Sequence, residues 1–316
     1  MKRKLLIADG IHPSAIEILE RHRNELTWEI VSENDFPHKL NDASFAIVKS
    51  SLFTAEMIRS SKSLKLIVRA GVGTETIDLK AAEERHIQVD TTQEANATST
   101  AELTIGLLLN LLRNISTAEF QVRAGEWKES SFRKQFRGVE IAGKKVGIVG
   151  LGRIGKRVAK RLSAFEAEVF ACDPYLSKEE TKSFAMLPYQ EILQTSEILS
   201  FHIPLNKETH RIFGKKEISI SEHKPWVINT SRGEIVDEVE VVAGVKFGKL
   251  SGYATDVFEK EPIAADSPLL TCERIVFSPH LGAQTLEAQE RVGIAAVQKV
   301  VEFIFDPKAN AEGSIK

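Results

Sequence analysis

Residues 145–155 read Lys-Val-Gly-Ile-Val-Gly-Leu-Gly-Arg-Ile-Gly: an apolar strand, three glycines, then a helix beginning near Arg153. Few other patterns restrict a fold so strongly. Gly150 permits the tight turn, Gly152 lets the backbone approach a pyrophosphate, and Gly155 lets helix and strand pack closely. The helix N-terminus adds free N–H groups and a partial positive charge suited to phosphate. The next strand ends on Asp173, 18 positions after Gly155, where a carboxylate accepts from adenosine ribose hydroxyls. That carboxylate repels a 2′-phosphate and Pro174-Tyr175 brings no arginine to neutralise one, which favours NAD over NADP.

Around this motif, short apolar runs alternate with helical spacing. Residues 4–8, 45–48, 66–68 and 87–89 read as strands, separated by helices over 14–23, 54–62 and 79–85. On periodicity alone, 44–48 fits the end of a buried helix equally well. Residues 100–123 read as one long helix capped by Thr100 and stopped by Gly125, a natural domain junction. A second block has strands at 145–149, 168–171, 198–202, 227–229, 252–256 and 275–278, and a last helix over 286–305. Alternation of this kind implies βαβ units and parallel sheets.

Composition excludes several classes. The 316 residues carry a net charge of −2, so no global basic field points to nucleic acid or an acidic membrane. The apolar run 103–112 is about half the ~20 residues of a membrane span, and 4–8 is too short for a signal h-region. Cys172 and Cys272, the only cysteines, build neither a disulfide framework nor a structural zinc site by themselves. A soluble, cytoplasmic protein without a metal site is expected.

Three polar residues follow strand ends of the second block: Arg232 in Asn229-Thr-Ser-Arg-Gly233, Glu261 in Asp256-Val-Phe-Glu-Lys-Glu-Pro262, and His280 in Ser278-Pro-His-Leu-Gly282. Carboxyl ends of parallel strands are where ligands bind in such sheets, so all three point toward one crevice. Singly, each reads as an ordinary loop or turn residue. His202, His210 and His12 read as ordinary loop or strand-end histidines.

Together with Arg69-Ala-Gly-Val-Gly73 and Thr100-Ala-Glu-Leu103, these segments resemble the D-isomer-specific 2-hydroxy-acid dehydrogenase family. The resemblance implies an α/β protein with two Rossmann-like/flavodoxin-like domains, parallel sheets and an active site in the cleft between them. It implies a substrate domain from 1–99 plus 285–316, an NAD-binding domain over 100–284, and a homodimer formed through the NAD domain. It also makes His280 the acid/base paired with Glu261, and gives Arg232 the substrate carboxylate. Such a histidine suits the role because its unperturbed pKa of ~6.5 serves both directions near neutrality. By motif position, Arg153 and Ile154 meet the cofactor phosphates and Pro204 the adenosine. Thr230, Asp256, Gly282 and Ala283 meet the nicotinamide end, Asp256 having a strand-end cap as its alternative.

Within the family, the 3-phosphoglycerate dehydrogenase subgroup is nearest. Lys49 stands where that subgroup carries arginine, Arg69 precedes the glycine motif, and Asn96 matches a substrate-side asparagine. Val72 and Gly73 would offer backbone N–H groups to the carboxylate. Arg133, Lys134, Phe136 and Gly138 resemble a basic loop that reaches a partner's site, or equally a solvated charged stretch. The departures are Thr91-Thr-Gln-Glu-Ala-Asn96, Gln284, and a shortened stretch 222–229 carrying Trp226. Glyoxylate, hydroxypyruvate or D-lactate-like acids are the alternative substrates, and Glu261 argues against formate, whose dehydrogenases place glutamine there. No serine-binding regulatory domain is expected in a chain of this length. An NAD-sensing corepressor-like module is the alternative from another class, although its long interaction tails are missing.

Overall fold

The computed structural model describes residues 2–127 and 134–305. It divides into two compact units, one of Met1–Asn96 with Ala283–Lys316 and one of Ala97–Gly282. The chain changes unit after Asn96 and again after Gly282, two to three residues from the expected boundaries.

The first unit holds a five-stranded parallel sheet ordered β2-β1-β3-β4-β5. Its strands are β1 (Arg3–Ala8), β2 (Leu26–Val31), β3 (Phe45–Val48), β4 (Leu66–Arg69) and β5 (Gln88–Thr91). The ambiguous segment is thus a strand over Phe45–Val48. All four of its residues are buried, in the middle of the sheet. Side chains alternate between two cores, with Leu6, Ala46, Val48 and Ile67 on one face and Leu5, Ile7, Phe45, Ile47, Leu66 and Val68 on the other. Helix Leu286–Phe305 seals the second core with Val292, Ala296, Val297 and Val300, and packs against helix Pro13–Arg21.

The second unit holds seven strands ordered β12-β11-β10-β9-β6-β7-β8. They are β6 (Lys145–Val149), β7 (Glu168–Cys172), β8 (Ala185–Met186), β9 (Ile198–Phe201), β10 (Trp226–Asn229), β11 (Gly252–Thr255) and β12 (Ile275–Phe277), all paired in parallel. From β6 the chain winds outward to β7 and β8, then returns to the opposite side at β9. That reversal beside the glycine-rich strand is where such sheets open a ligand crevice. Four-residue β9 is buried throughout, as a central strand covered on both faces must be.

The single helix expected over 100–123 is two. The first runs Ala97–Arg113 and the second Ile115–Arg123, with Asn114 between them at φ +55°. Thr100 is therefore not a cap but a buried residue within the first helix. Asparagine is one of the few side chains that tolerate this left-handed conformation. The break is built from elsewhere: Val139 N–H takes the Leu112 carbonyl at 3.0 Å, and Asn110 Oδ1 receives Ser116 N–H at 2.8 Å.

Candidate active site

The glycine turn after β6 has the form a dinucleotide requires. Gly150 sits at φ +92°, and a Cβ there would lie 2.5 Å from the His202 carbonyl. A Cβ on Gly155 would lie 2.0 Å from the Gly150 carbonyl, so only glycine permits the helix to pass this close. A Cβ on Gly152 would meet nothing within 4 Å, which leaves the approach to the backbone open. Gly152 also begins helix Arg153–Ala164 with no side-chain cap, so the first N–H groups are left for an anion. Arg153 is exposed and Ile154 half-buried beside them. Asp173, just past β7, accepts from Leu151 N–H at 2.9 Å and Tyr175 N–H at 3.1 Å, fixing its carboxylate at the rim of the turn. These residues fit an NAD-type dinucleotide. Pro204, past β9, is exposed, and its carbonyl accepts from the Thr209 hydroxyl at 2.6 Å.

The three polar residues singled out beyond the strand ends form one cluster. His280 Nδ1 and Glu261 Oε2 are 2.6 Å apart, and Glu261 Oε1 receives Phe258 N–H at 3.1 Å. The bond to Glu261 raises the His280 pKa above its ordinary value, against burial and the Arg232 charge, which oppose it. For Glu261, burial pushes upward, but the His280 bond and charge, the Phe258 N–H and Arg232 together hold its pKa below normal. Arg232 is set by its backbone, whose carbonyl receives Asn229 Nδ2 at 2.8 Å, while Asn229 Oδ1 receives Ser231 N–H and hydroxyl. Gly233 follows because a Cβ there would lie 1.9 Å from the Phe258 backbone.

Asp256 is almost fully buried, and burial raises its pKa. Oδ1 accepts from the Ser278 hydroxyl at 2.5 Å and Leu281 N–H at 2.7 Å, and Oδ2 from Gly282 N–H at 2.8 Å. Its carbonyl also takes His280 N–H at 2.9 Å. Its carboxylate therefore anchors the loop that carries His280, the strand-end reading of this residue. Thr230 Oγ1 lies 2.8 Å from Thr104 Oγ1, and the Gly282 carbonyl accepts from Ser99 at 2.6 Å. Ala283 is the first residue of the returning segment of the other unit.

In the first unit, Lys49, Arg69, Val72, Gly73 and Asn96 lie in the loops after the strands or at their ends. Sequence reasoning missed Asp9, which follows β1 at φ +66°. Its Oδ2 accepts N–H groups from Lys49, Ser50 and Ser51 at 2.9, 2.8 and 3.0 Å, and its Oδ1 accepts the Ser51 hydroxyl at 2.6 Å. Strands β1 and β3 are neighbours where this sheet reverses its order, so Asp9 shapes that unit's own switch point. Gln289 was also missed; its Oε1 meets Lys49 Nζ at 2.6 Å. Burial and the nearby Arg69 charge lower the Lys49 pKa, against the opposing pull of Asp9. Gly71 gives the Arg69 guanidinium its space, since a Cβ there would lie 1.2 Å from Nη1. Of the basic loop, Lys134 is exposed and Phe136 half-buried, while Arg133 lies outside the described residues.

Among the described residues, no helix is long and apolar enough to cross a membrane. The sequence profile described as the D-isomer specific 2-hydroxyacid dehydrogenase NAD binding domain matches residues 105–282, more than half of the chain. A D-3-phosphoglycerate dehydrogenase of Methanocaldococcus jannaschii is 36% identical over 305 residues, covering 95% of this chain; the chain spans only 57% of that relative. A hydroxypyruvate reductase of Thermotoga maritima is 34% identical over 299 residues, covering 93% of this chain and 96% of the relative. The crystal structure of a glyoxylate reductase from Paecilomyes thermophila superposes with a TM-score of 0.86 at 26% identity, covering 97% of this chain and 96% of that one. The glycine turn, the His280–Glu261 pair and these matches agree: the chain belongs to the D-isomer-specific 2-hydroxyacid dehydrogenase family.

Proposed function

We propose that this chain interconverts a D-2-hydroxy acid and its 2-keto acid with NAD, and that 3-phosphoglycerate and 3-phosphohydroxypyruvate are its substrate pair, placing it in serine biosynthesis. The observation that carries the reaction type is the 2.6 Å contact between His280 Nδ1 and Glu261, beyond the strand ends of an NAD-binding domain. When bound, the nicotinamide supplies or accepts the hydride. His280 then handles the proton: with Nδ1 fixed by Glu261, its Nε2 faces the reacting oxygen, donating in reduction and accepting in oxidation. Arg232 holds the substrate carboxylate, a planar anion suited to a guanidinium fork, and polarises the carbonyl.

The phosphorylated substrate is supported by the pairing of Lys49 and Arg69 as two cations of one loop cluster, the Arg69 charge adding to burial in lowering the Lys49 pKa, and by the phosphoglycerate dehydrogenase relatives. The hydroxypyruvate and glyoxylate reductases favour the second reading, an unphosphorylated keto acid. NADH oxidation against a panel of 3-phosphohydroxypyruvate, hydroxypyruvate, glyoxylate and pyruvate separates them. On the first reading, the phosphorylated acid has the highest kcat/KM, and Arg69→Ala lowers kcat/KM for it at least tenfold more than for glyoxylate. Equal losses on both acids would remove the phosphate site. We also infer a homodimer through the NAD-binding unit, supported by Ile115, Phe120 and Val122 exposed on one helix. A cytoplasmic location goes with this reading.

A further inference from the structure

Strand β6 lies between β7 and β9, so the loops leaving those two strands flank the glycine turn on either side. The two loops are joined by a side-chain contact, the Tyr175 hydroxyl donating to the Glu208 carboxylate at 2.7 Å. Neighbouring strands lie ~4.8 Å apart, so this bond bridges strands about 10 Å apart, across the end of the strand that carries the glycines. Both ends are anchored to residues of the dinucleotide crevice. Tyr175 N–H donates to Asp173, whose other oxygen accepts from Leu151 in the glycine turn. Glu208 N–H donates to Asn206 Oδ1 at 2.8 Å, and Thr209, which bonds the Pro204 carbonyl, also donates its N–H to that oxygen.

Tyr175 is 75% exposed. Apolar burial therefore does not hold the ring in place, and the hydrogen bond is what fixes its direction. A large aromatic held across a crevice by a single polar contact can close a face of a bound ligand and part to release it.

We propose that Tyr175 and Glu208 form a strap across the adenosine end of the cofactor crevice, and that their bond sets how fast the dinucleotide leaves. The proposal rests on the reading that this crevice takes NAD, and it adds two positioning residues that lie outside the glycine motif and Asp173.

The test is stopped-flow displacement of NADH by excess NAD, followed by nucleotide fluorescence, in the wild type, Tyr175→Phe, Glu208→Ala, Glu208→Gln and the double variant Tyr175→Phe/Glu208→Ala. Loss of one exposed hydrogen bond to a carboxylate should speed release about fivefold in Tyr175→Phe and Glu208→Ala alike. The double variant should release no faster than either, because both substitutions remove the same contact. Glu208→Gln keeps an acceptor and should stay near the wild-type rate. Without cofactor, amide exchange across residues 204–209 should quicken in both single variants. An unchanged release rate in Tyr175→Phe, or effects that multiply in the double variant, would overturn the strap. Absence of NADH binding to the wild type would instead overturn the cofactor reading beneath it, and the strap with it.

Discussion

His280 occupies a left-handed backbone conformation, φ +55°, that costs a non-glycine residue on the order of 1–3 kcal/mol. The strain is held by Asp256, which receives N–H groups from residues 280, 281 and 282 through its carbonyl and carboxylate. Replacing the ring is expected to affect proton transfer and little else. His280→Ala should lower turnover about 10²–10⁴-fold while leaving the NADH Kd within about twofold, measured by fluorescence titration. The pH dependence follows from Glu261, whose bond is the largest cause of the raised His280 pKa. Reduction needs protonated His280, so its rate should fall as pH rises through that raised value, and oxidation should show the opposite limb. Glu261→Gln should move both limbs to lower pH, which a kcat/KM profile would record. Linkage has the same basis. The stability gained by His280 is full below its unfolded pKa and lost as pH rises through the raised folded value. The Glu261 share is present above its unfolded pKa and lost as pH falls through the lowered one. With side chains 53% and 38% exposed, solvent screens the pair, and its effect on pH is kinetic before it is thermodynamic.

At the scale of elements, the break at Asn114 is a point where a helical pattern continues although the helix does not. Asn114→Ala should cost about 1–2 kcal/mol by chemical denaturation, because alanine is strained in the left-handed region, and Asn114→Gly should cost less. Gly138→Ala should also destabilise, since its Cβ would lie 2.7 Å from the Leu112 carbonyl that Val139 must reach. These partners explain what the sequence concealed. Val139 lies 27 residues from Leu112 in the chain, and periodicity registers nothing at that distance. Central strands were legible because parallel strands buried on both faces are short continuous apolar runs, as in Phe45–Val48 and Ile198–Phe201. Edge strand β2 escaped because its Thr27 and Glu29-Ile30 face outward or half outward, and β8 because two residues carry no pattern. The site was legible in the same uneven way. Arg232, Glu261 and His280 stand beside strand-ending motifs, whereas Asp9 binds residues 49–51 and Tyr175 binds Glu208 through contacts that only the fold creates.

For the whole molecule, the second unit is one uninterrupted stretch of chain, and the first is assembled from two. Residues 97–282 expressed alone should therefore fold cooperatively and bind NADH, with no turnover on any keto acid; a thermal melt and a fluorescence titration would check both. The first unit has no such independence, because Val292, Ala296, Val297 and Val300 complete a core begun by Leu5, Ile7 and Phe45. On the ribosome this fixes an order of events. Residues 1–96 emerge with one face of their sheet covered only in part, by the helix Pro13–Arg21. They wait while the whole of 97–282 is made, and they close only when the helix Leu286–Phe305 arrives. At ~5–20 residues per second, the delay of nearly two hundred residues lasts on the order of ten to forty seconds. During that interval a row of apolar side chains lies open to water, to neighbouring chains and to chaperones. The part of this protein most exposed to misassembly is thus made well before the helix that rescues it, which is written nearly two hundred residues downstream of Asn96.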